Sequence, residues 1–205
     1  MGAAAAGARE VLMIGGTSHV GKSTLARAMA ATLGWRHVST DQLARHPGRP
    51  WTTTRPHVRE HYATLSVAEL TARQLEHYRR MWPLVEGLTR EAWGPGRGGL
   101  VLEGSGVWPE LVAELPRARV AALWLTAPDA VLAARVHAES RVDELPAGAR
   151  LAVRRFLGRT LAYQDLMCVA VDRLGLTRID TGDTPPAELL ARVRRLIDAP
   201  RPGAP

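Results

Sequence analysis

The chain has 205 residues, 46% hydrophobic and 23% charged, which suits one compact globular domain with a sizeable core. The net charge is +7, but the arginines are spread out, with only short pairs at Arg79-Arg80, Arg154-Arg155 and Arg194-Arg195, so the basic block of a nucleic-acid-binding tail is missing. No apolar run reaches membrane-span length, Met1–Ala8 lacks the basic and apolar regions of a signal peptide, and the single cysteine, Cys168, rules out an internal disulfide.

In chain order, the small-residue arm 1–8 is expected to be disordered, and Val11-Leu12-Met13-Ile14 predicts a buried parallel strand. That strand feeds Gly16-Thr17-Ser18-His19-Val20-Gly21-Lys22-Ser23, which satisfies G-x-x-x-x-G-K-[ST] at every fixed position. A helix follows over Ser23–Leu33, and Gly34 stops it. A glycine-rich turn from strand end to helix start makes a nest of backbone N–H groups for phosphates, backed by the helix dipole. Gly16, Thr17, Ser18, His19, Val20, Gly21, Lys22, Ser23 and Thr24 are the candidate nucleotide-binding residues. Lys22 would reach the β/γ-phosphates and Ser23 would hold Mg²⁺. Lys22 is the only lysine, against 26 arginines. A compact ammonium on a thin stem fits between two phosphates where a planar guanidinium fork is too wide.

A second strand is predicted over Arg36–Ser39, and Asp41 follows it. That position puts a carboxylate across the cleft from the phosphate nest, where it can orient an acceptor hydroxyl and take its proton. The alternative for Asp41 is a helix N-cap. Residues 42–98 are too long for a single crossover and read as a helical, acceptor-binding insert. Ser66 and Glu69 form a capping box that opens a helix to about Trp82, and Pro83 suits the first turn of another, to about Trp93. Within the insert, Arg49, Trp51 and Arg59 are candidate substrate contacts. His57-Val58-Arg59-Glu60-His61 fits a zinc-protease pattern, but no third ligand is evident. Gly94–Gly99 precedes a strand rather than following one, so it reads as a linker and not as a dinucleotide fingerprint.

The third strand closes Leu100-Val101-Leu102-Glu103, which places a carboxylate beside the phosphate loop. Glu103 is a candidate for Mg²⁺, or for contact with the acceptor. The fourth strand is expected over Val120–Leu125, with Trp124 in the core, and Arg135 lies on the helix after it. Residues 139–157, polar and arginine-flanked, are expected to form a mobile lid. Arg135 and Arg141 are candidates for stabilising charge on a transferring phosphoryl group, and Arg159 is a substrate-side candidate. Cys168 sits in an apolar helical stretch and is expected to be a buried, inert thiol in a reducing cytoplasm. A fifth strand over Leu176–Asp180 completes the βα alternation, and 199–205 is expected to be a disordered tail. Together these elements predict one α/β domain, three layers deep, with a parallel sheet covered on both faces.

With Gly16–Ser23, Asp41 and Arg135 in these positions, the chain resembles P-loop small-molecule kinases of the nucleoside/nucleotide kinase superfamily, such as shikimate kinases, chloramphenicol phosphotransferase and 2-phosphoglycerate kinase-like proteins. The resemblance runs from about Val11 to Leu196. It implies a five-stranded parallel sheet in the order 2-3-1-4-5, ATP with Mg²⁺, a helical acceptor-binding insert and a closing lid. It also implies that Asp41 contacts the acceptor, that Arg135 stacks on adenine, and that the loop Asp180–Thr184, with Thr181, lines the adenine pocket. The glutamate ending of the third strand and the His46–Trp51 segment depart from that pattern.

The expected activity is transfer of a γ-phosphoryl group from ATP to a hydroxyl of a small molecule in the cytoplasm, with Lys22, Asp41, Arg135 and Arg141 catalytic. Two alternatives are an ATP-binding switch and a kinase acting on nucleic-acid ends. A guanine-specific GTPase is excluded, because its Asn/Thr-Lys-x-Asp motif needs a second lysine.

Overall fold

The computed structural model describes residues 9–44, 48–51, 56–94 and 96–199, and not the side chain of Arg59. The expected arm 1–8, the expected tail 199–205 beyond Ala199, and His46 and Pro47 of the departing segment lie outside the described residues. Among the described residues, five strands, β1 (Val11–Gly16), β2 (Arg36–Ser39), β3 (Leu100–Glu103), β4 (Val120–Thr126) and β5 (Thr177–Asp180), form one sheet in the order β2-β3-β1-β4-β5. Every pairing is parallel, with Val11 level with both Leu100 and Val120. This is the order expected from the sequence.

The alternation along each strand divides the core. Val11, Met13, Leu100, Leu102 and Trp124 face one side, where α3 (Val67–Glu91), α4 (Pro109–Ala113) and α6 (Ala147–Arg173) pack. Leu12, Ile14, Val101, Leu123 and Leu125 face the other, against α1 (Lys22–Leu33) and α7 (Pro186–Asp198). Period-2 strands with both faces buried read as continuous apolar runs, which is why β1 and β4 were visible in the sequence. Trp124 is fully buried, and its indole N–H donates to the Val107 carbonyl at 2.8 Å. A third cluster, including Val58, Tyr62, Val136 and Phe156, joins α2 (Pro56–Thr64), α5 (Asp129–Ser140) and the start of α6. No helix among the described residues is long and apolar enough to cross a membrane.

Two expectations need correction. Pro83 does not begin a new helix: α3 runs unbroken from Val67 to Glu91 with Pro83 inside it. Its start is as read, since Ser66 Oγ accepts from the Glu69 N–H and the Glu69 carboxylate accepts from the Ser66 N–H. Met81, Trp82 and Val85 pack on the sheet, while Pro83 and Arg79 face solvent. The carbonyl that loses its partner to proline thus belongs to a residue on the exposed face, and packing on the opposite face carries the helix through. The second half of α3 thus also packs as a layer of the sandwich. The stretch 139–157 is also mostly helical. Only 141–146 lies between α5 and α6, with a 3₁₀ turn at Val142–Glu144. Cys168 is half-buried on α6, and burial raises its thiol pKa.

Because an exposed helix-interior proline costs a hydrogen bond, Pro83→Ala should stabilise the fold by about 1–3 kcal/mol. Urea denaturation checks this; a loss of stability would mean that the bend at Pro83 is needed for α3 to fit the sheet.

Candidate active site

The phosphate loop joins β1 to α1 and is tied down by its carbonyls. Ser105 Oγ donates to the Gly16 carbonyl at 3.0 Å, Arg135 Nη1 to that of His19 at 2.8 Å, and Thr181 Oγ1 to that of Val20 at 3.1 Å. A trans peptide points its N–H away from its C=O, so these bonds also fix the orientation of the following N–H groups of Thr17, Val20 and Gly21. The Thr17 hydroxyl donates to the Thr160 carbonyl at 2.8 Å, which moors the loop to α6. Gly16 has φ 138°, and a Cβ there would lie 2.6 Å from the Leu125 carbonyl, so only glycine fits. His19 has φ 67°, a left-handed conformation that histidine tolerates better than bulkier residues.

Lys22 is buried and donates from Nζ to the Thr17 carbonyl at 2.6 Å, so the ammonium rests on its own loop. Burial holds its pKa below the ordinary lysine value; the Glu103 and Asp41 carboxylates push back up, and Arg49 lowers it further. Ser23 Oγ donates to Glu103 Oε1 at 3.0 Å. Glu103 is 3% exposed, with His37 Nε2 3.9 Å from its Oε1 and its charge felt by Lys22. A buried carboxylate beside a hydroxyl is a hard-oxygen donor pair of the kind that suits Mg²⁺.

These groups open on a cavity of about 790 Å³. Lys22, Ser23, Glu103 and Asp41 line it together, with Ser18, Thr24 and Arg49. Asp41 lies in a 3₁₀ turn, Thr40–Gln42, directly after β2 and is exposed to the cavity rather than capping a helix. A second cavity, of about 340 Å³, lies between α1 and α7 and holds Arg135, Thr181 and Thr184 against Leu25, Leu189 and Leu190.

The other expected residues sit elsewhere. Arg141 caps α5 with φ 47°, and its side chain is 76% exposed, 3.9 Å from Glu144. Arg159 is buried, donates to the Tyr62 hydroxyl at 2.6 Å and lies over the Phe156 ring, behind the cavity wall. Trp51 packs edge-on against Phe156, with centroids 4.8 Å apart, and Phe156 is the ring that lines the cavity. Arg59 lies on α2, its side chain outside the described part.

Sequence reasoning missed Ser105, Phe156, Arg27 and Glu139. Glu139 accepts from His19 Nε2 at 2.8 Å and pairs with Arg49. Burial alone would raise its carboxyl pKa, but the Arg49 charge and the hydrogen bonds from His19 and Arg49 leave it lowered. His19 is 6% exposed at its side chain and packs near Trp51 and Phe156. Burial, then the Arg49 charge, hold its pKa below the ordinary histidine value against the pull of Glu139. Glu139 left one signal in the sequence: a carboxylate in the last turn of a helix opposes the dipole, so it is placed there for a partner outside the helix.

The fold and loop define the class: a P-loop α/β domain, whose fold is shared by solved small-molecule kinases. A gluconokinase from Sinorhizobium meliloti 1021 aligns over 93% of this chain and 95% of its own, with TM-score 0.51 and 18% identity. Shikimate kinase from Acinetobacter baumannii, solved with shikimate, aligns over 93% and 94%, with TM-score 0.52 and 14% identity. Shikimate kinase from Aquifex aeolicus aligns over 92% and 96%, with TM-score 0.53 and 13% identity. No family model and no curated protein sequence matches the chain.

The lowered pKa of His19 has a consequence for stability. Above the unfolded value of 6.5, both states hold the ring neutral; below it the unfolded chain takes up the proton first, so stability falls as pH drops. Glu139, also lowered, adds to that loss at more acidic pH, and the lowered His61 acts in the same sense as His19. The urea midpoint should fall from pH 7 to pH 5.5, and His19→Gln should flatten the fall in part; an unchanged slope would place the titration elsewhere.

Proposed function

We propose that this chain is an ATP- and Mg²⁺-dependent phosphotransferase that moves the γ-phosphoryl group to a hydroxyl of a small molecule. The observation that carries the reading is the single cavity shared by Lys22, the Ser23–Glu103 pair and Asp41. Phosphates take the place of the Thr17 carbonyl as the partner of Lys22. The second cavity, with Arg135 and Thr181 on an apolar floor, suits the nucleoside. Ser23 and Glu103 would hold Mg²⁺, which supplies positive charge to the phosphate oxygens.

Asp41 faces the phosphate loop from the end of β2 and acts as the base. It takes the proton of the acceptor hydroxyl as that oxygen attacks the γ-phosphorus; the bond to the β–γ bridging oxygen breaks, and ADP leaves. Charge that develops on the transferred group meets the Lys22 ammonium and the loop amides. The turn-and-helix stretch 139–157 serves as the lid, and residues 42–98 supply the acceptor side. A nucleotide-binding switch would share the phosphate loop but leave Asp41 without a role.

Lys22→Ala should lower turnover by at least about 10²-fold with the fold intact by circular dichroism. Acceptor-stimulated ADP release, screened over hydroxylated metabolites and antibiotics, provides the assay; full activity in the variant would overturn the assignment. Asp41→Asn should reduce kcat by about 10²–10⁴-fold and leave ATP affinity near that of the parent. An unchanged rate moves the base to another group.

A further inference from the structure

Building on that reading, we propose that Arg49 is a second cation for the terminal phosphate of a bound nucleoside triphosphate, aimed into the phosphate cavity beside Lys22 by Glu139. The guanidinium comes from the segment between β2 and α2, outside the phosphate loop.

Arg49 lines the same cavity as Ser18, Lys22 and Ser23. Its side chain is 46% exposed and pairs with Glu139 at the end of α5. The same carboxylate accepts from His19 Nε2 at 2.8 Å, so one acid joins the incoming arginine to the middle of the phosphate loop. Two residues on, Trp51 seats edge-on against Phe156 and lies 6.1 Å from the His19 ring. The short described stretch 48–51 is therefore fastened to the loop at two points, one ionic and one aromatic.

Electrostatics favour an anion between these groups. The Arg49 charge is close enough to Lys22 to lower its pKa, so two cations face one water-filled cavity and repel each other there. An oxyanion placed between them converts that repulsion into two attractions. A guanidinium suits the outer position because one edge of its planar fork can stay on a carboxylate while another meets a phosphate oxygen. Glu139 has no helical reason to sit in the last turn of α5, where the dipole opposes it; orienting Arg49 and His19 supplies one. Arg49 thus reads the third phosphate, while Lys22 and the loop amides hold the second. Glu139 acts through Arg49 and is a positioning residue.

Calorimetric titration of the full chain with Mg²⁺ and either ADP or adenylyl imidodiphosphate tests this. The parent should bind both nucleotides. Arg49→Ala should weaken the triphosphate analogue about tenfold or more and ADP less than about twofold, as expected for loss of one charged hydrogen-bonded contact. Glu139→Gln should shift the same ratio in the same direction by about threefold, whereas loss of a merely structural contact would weaken both nucleotides alike. Arg49→Lys should restore part of the preference. Both side chains are partly exposed, so the variants should melt near the parent. If the parent binds both nucleotides and the ratio is unmoved in Arg49→Ala, the proposal is overturned and the guanidinium belongs to the acceptor side. If the parent binds neither nucleotide, the phosphotransferase reading falls, and this inference with it.

Discussion

The site depends on the carbonyls of the phosphate loop being held from outside. Gly16, His19 and Val20 each offer a carbonyl to a side chain from a different part of the fold: Ser105 after β3, Arg135 on α5 and Thr181 after β5. Each bond is worth about 1 kcal/mol in stability, and Arg135 somewhat more. Their functional effect is larger than that sum, because the peptide plane transmits orientation. With the carbonyls fixed, the amides behind them need not reorganise when an anion arrives, and preorganised dipoles are what a charged transition state rewards. The sheet order explains how three distant segments reach one loop. With β1 central and β3 and β4 on its flanks, the loops after β1 and β3 share one edge of the sheet. Thr181, after β5, arrives through the β4–β5 pairing, and its one hydroxyl proton is shared between the Thr126 and Val20 carbonyls.

Much of this was legible in the sequence where covalent geometry or period alone decides. The central strands β1, β3 and β4 appeared because buried parallel strands are apolar, whereas the edge strands β2 and β5 are only partly buried and showed only through their place in the βα alternation. The phosphate loop appeared because each fixed position has one steric or chemical solution. Gly16 is the clearest case, since no Cβ fits beneath the Leu125 carbonyl. Pro83 was misread because a local rule treats proline as a stop, whereas the apolar face formed by Met81, Trp82 and Val85 fastens α3 to the sheet on both sides of it. The grouping of Glu139 with His19 and Arg49 was illegible because its members lie 120 and 90 positions apart, and no periodicity links them. Arg141 was grouped with the cleft from its place in the chain. Its left-handed backbone turns the chain out of α5 just there and leaves the guanidinium in solvent.

The charge pattern of the chain takes on meaning at the cavity. Several arginines off the cleft are paired at the surface, some in i,i+4 pairs such as Arg90–Glu86 and Arg192–Glu188, which add little stability. Inside the cleft the balance differs. Lys22 is the buried cation, Glu103 the buried anion, and they lie on either side of Ser23. Burial lowers the Lys22 pKa, and only the two nearby carboxylates hold it up. An arginine in that position would keep its charge at any pH, but its fork would not fit on the stem's path between the Thr17 carbonyl and the phosphates. A lysine there can lose solvent, rest on one carbonyl while the cleft is empty, and move onto phosphate oxygens with a single flexible stem. That exchange costs the loop nothing, because the Thr17 peptide stays tied to the rest of the fold by the bond from its own hydroxyl to Thr160. On the proposed reading, the desolvated ammonium on this cradle would meet the charge that develops as the phosphoryl group passes to the acceptor hydroxyl.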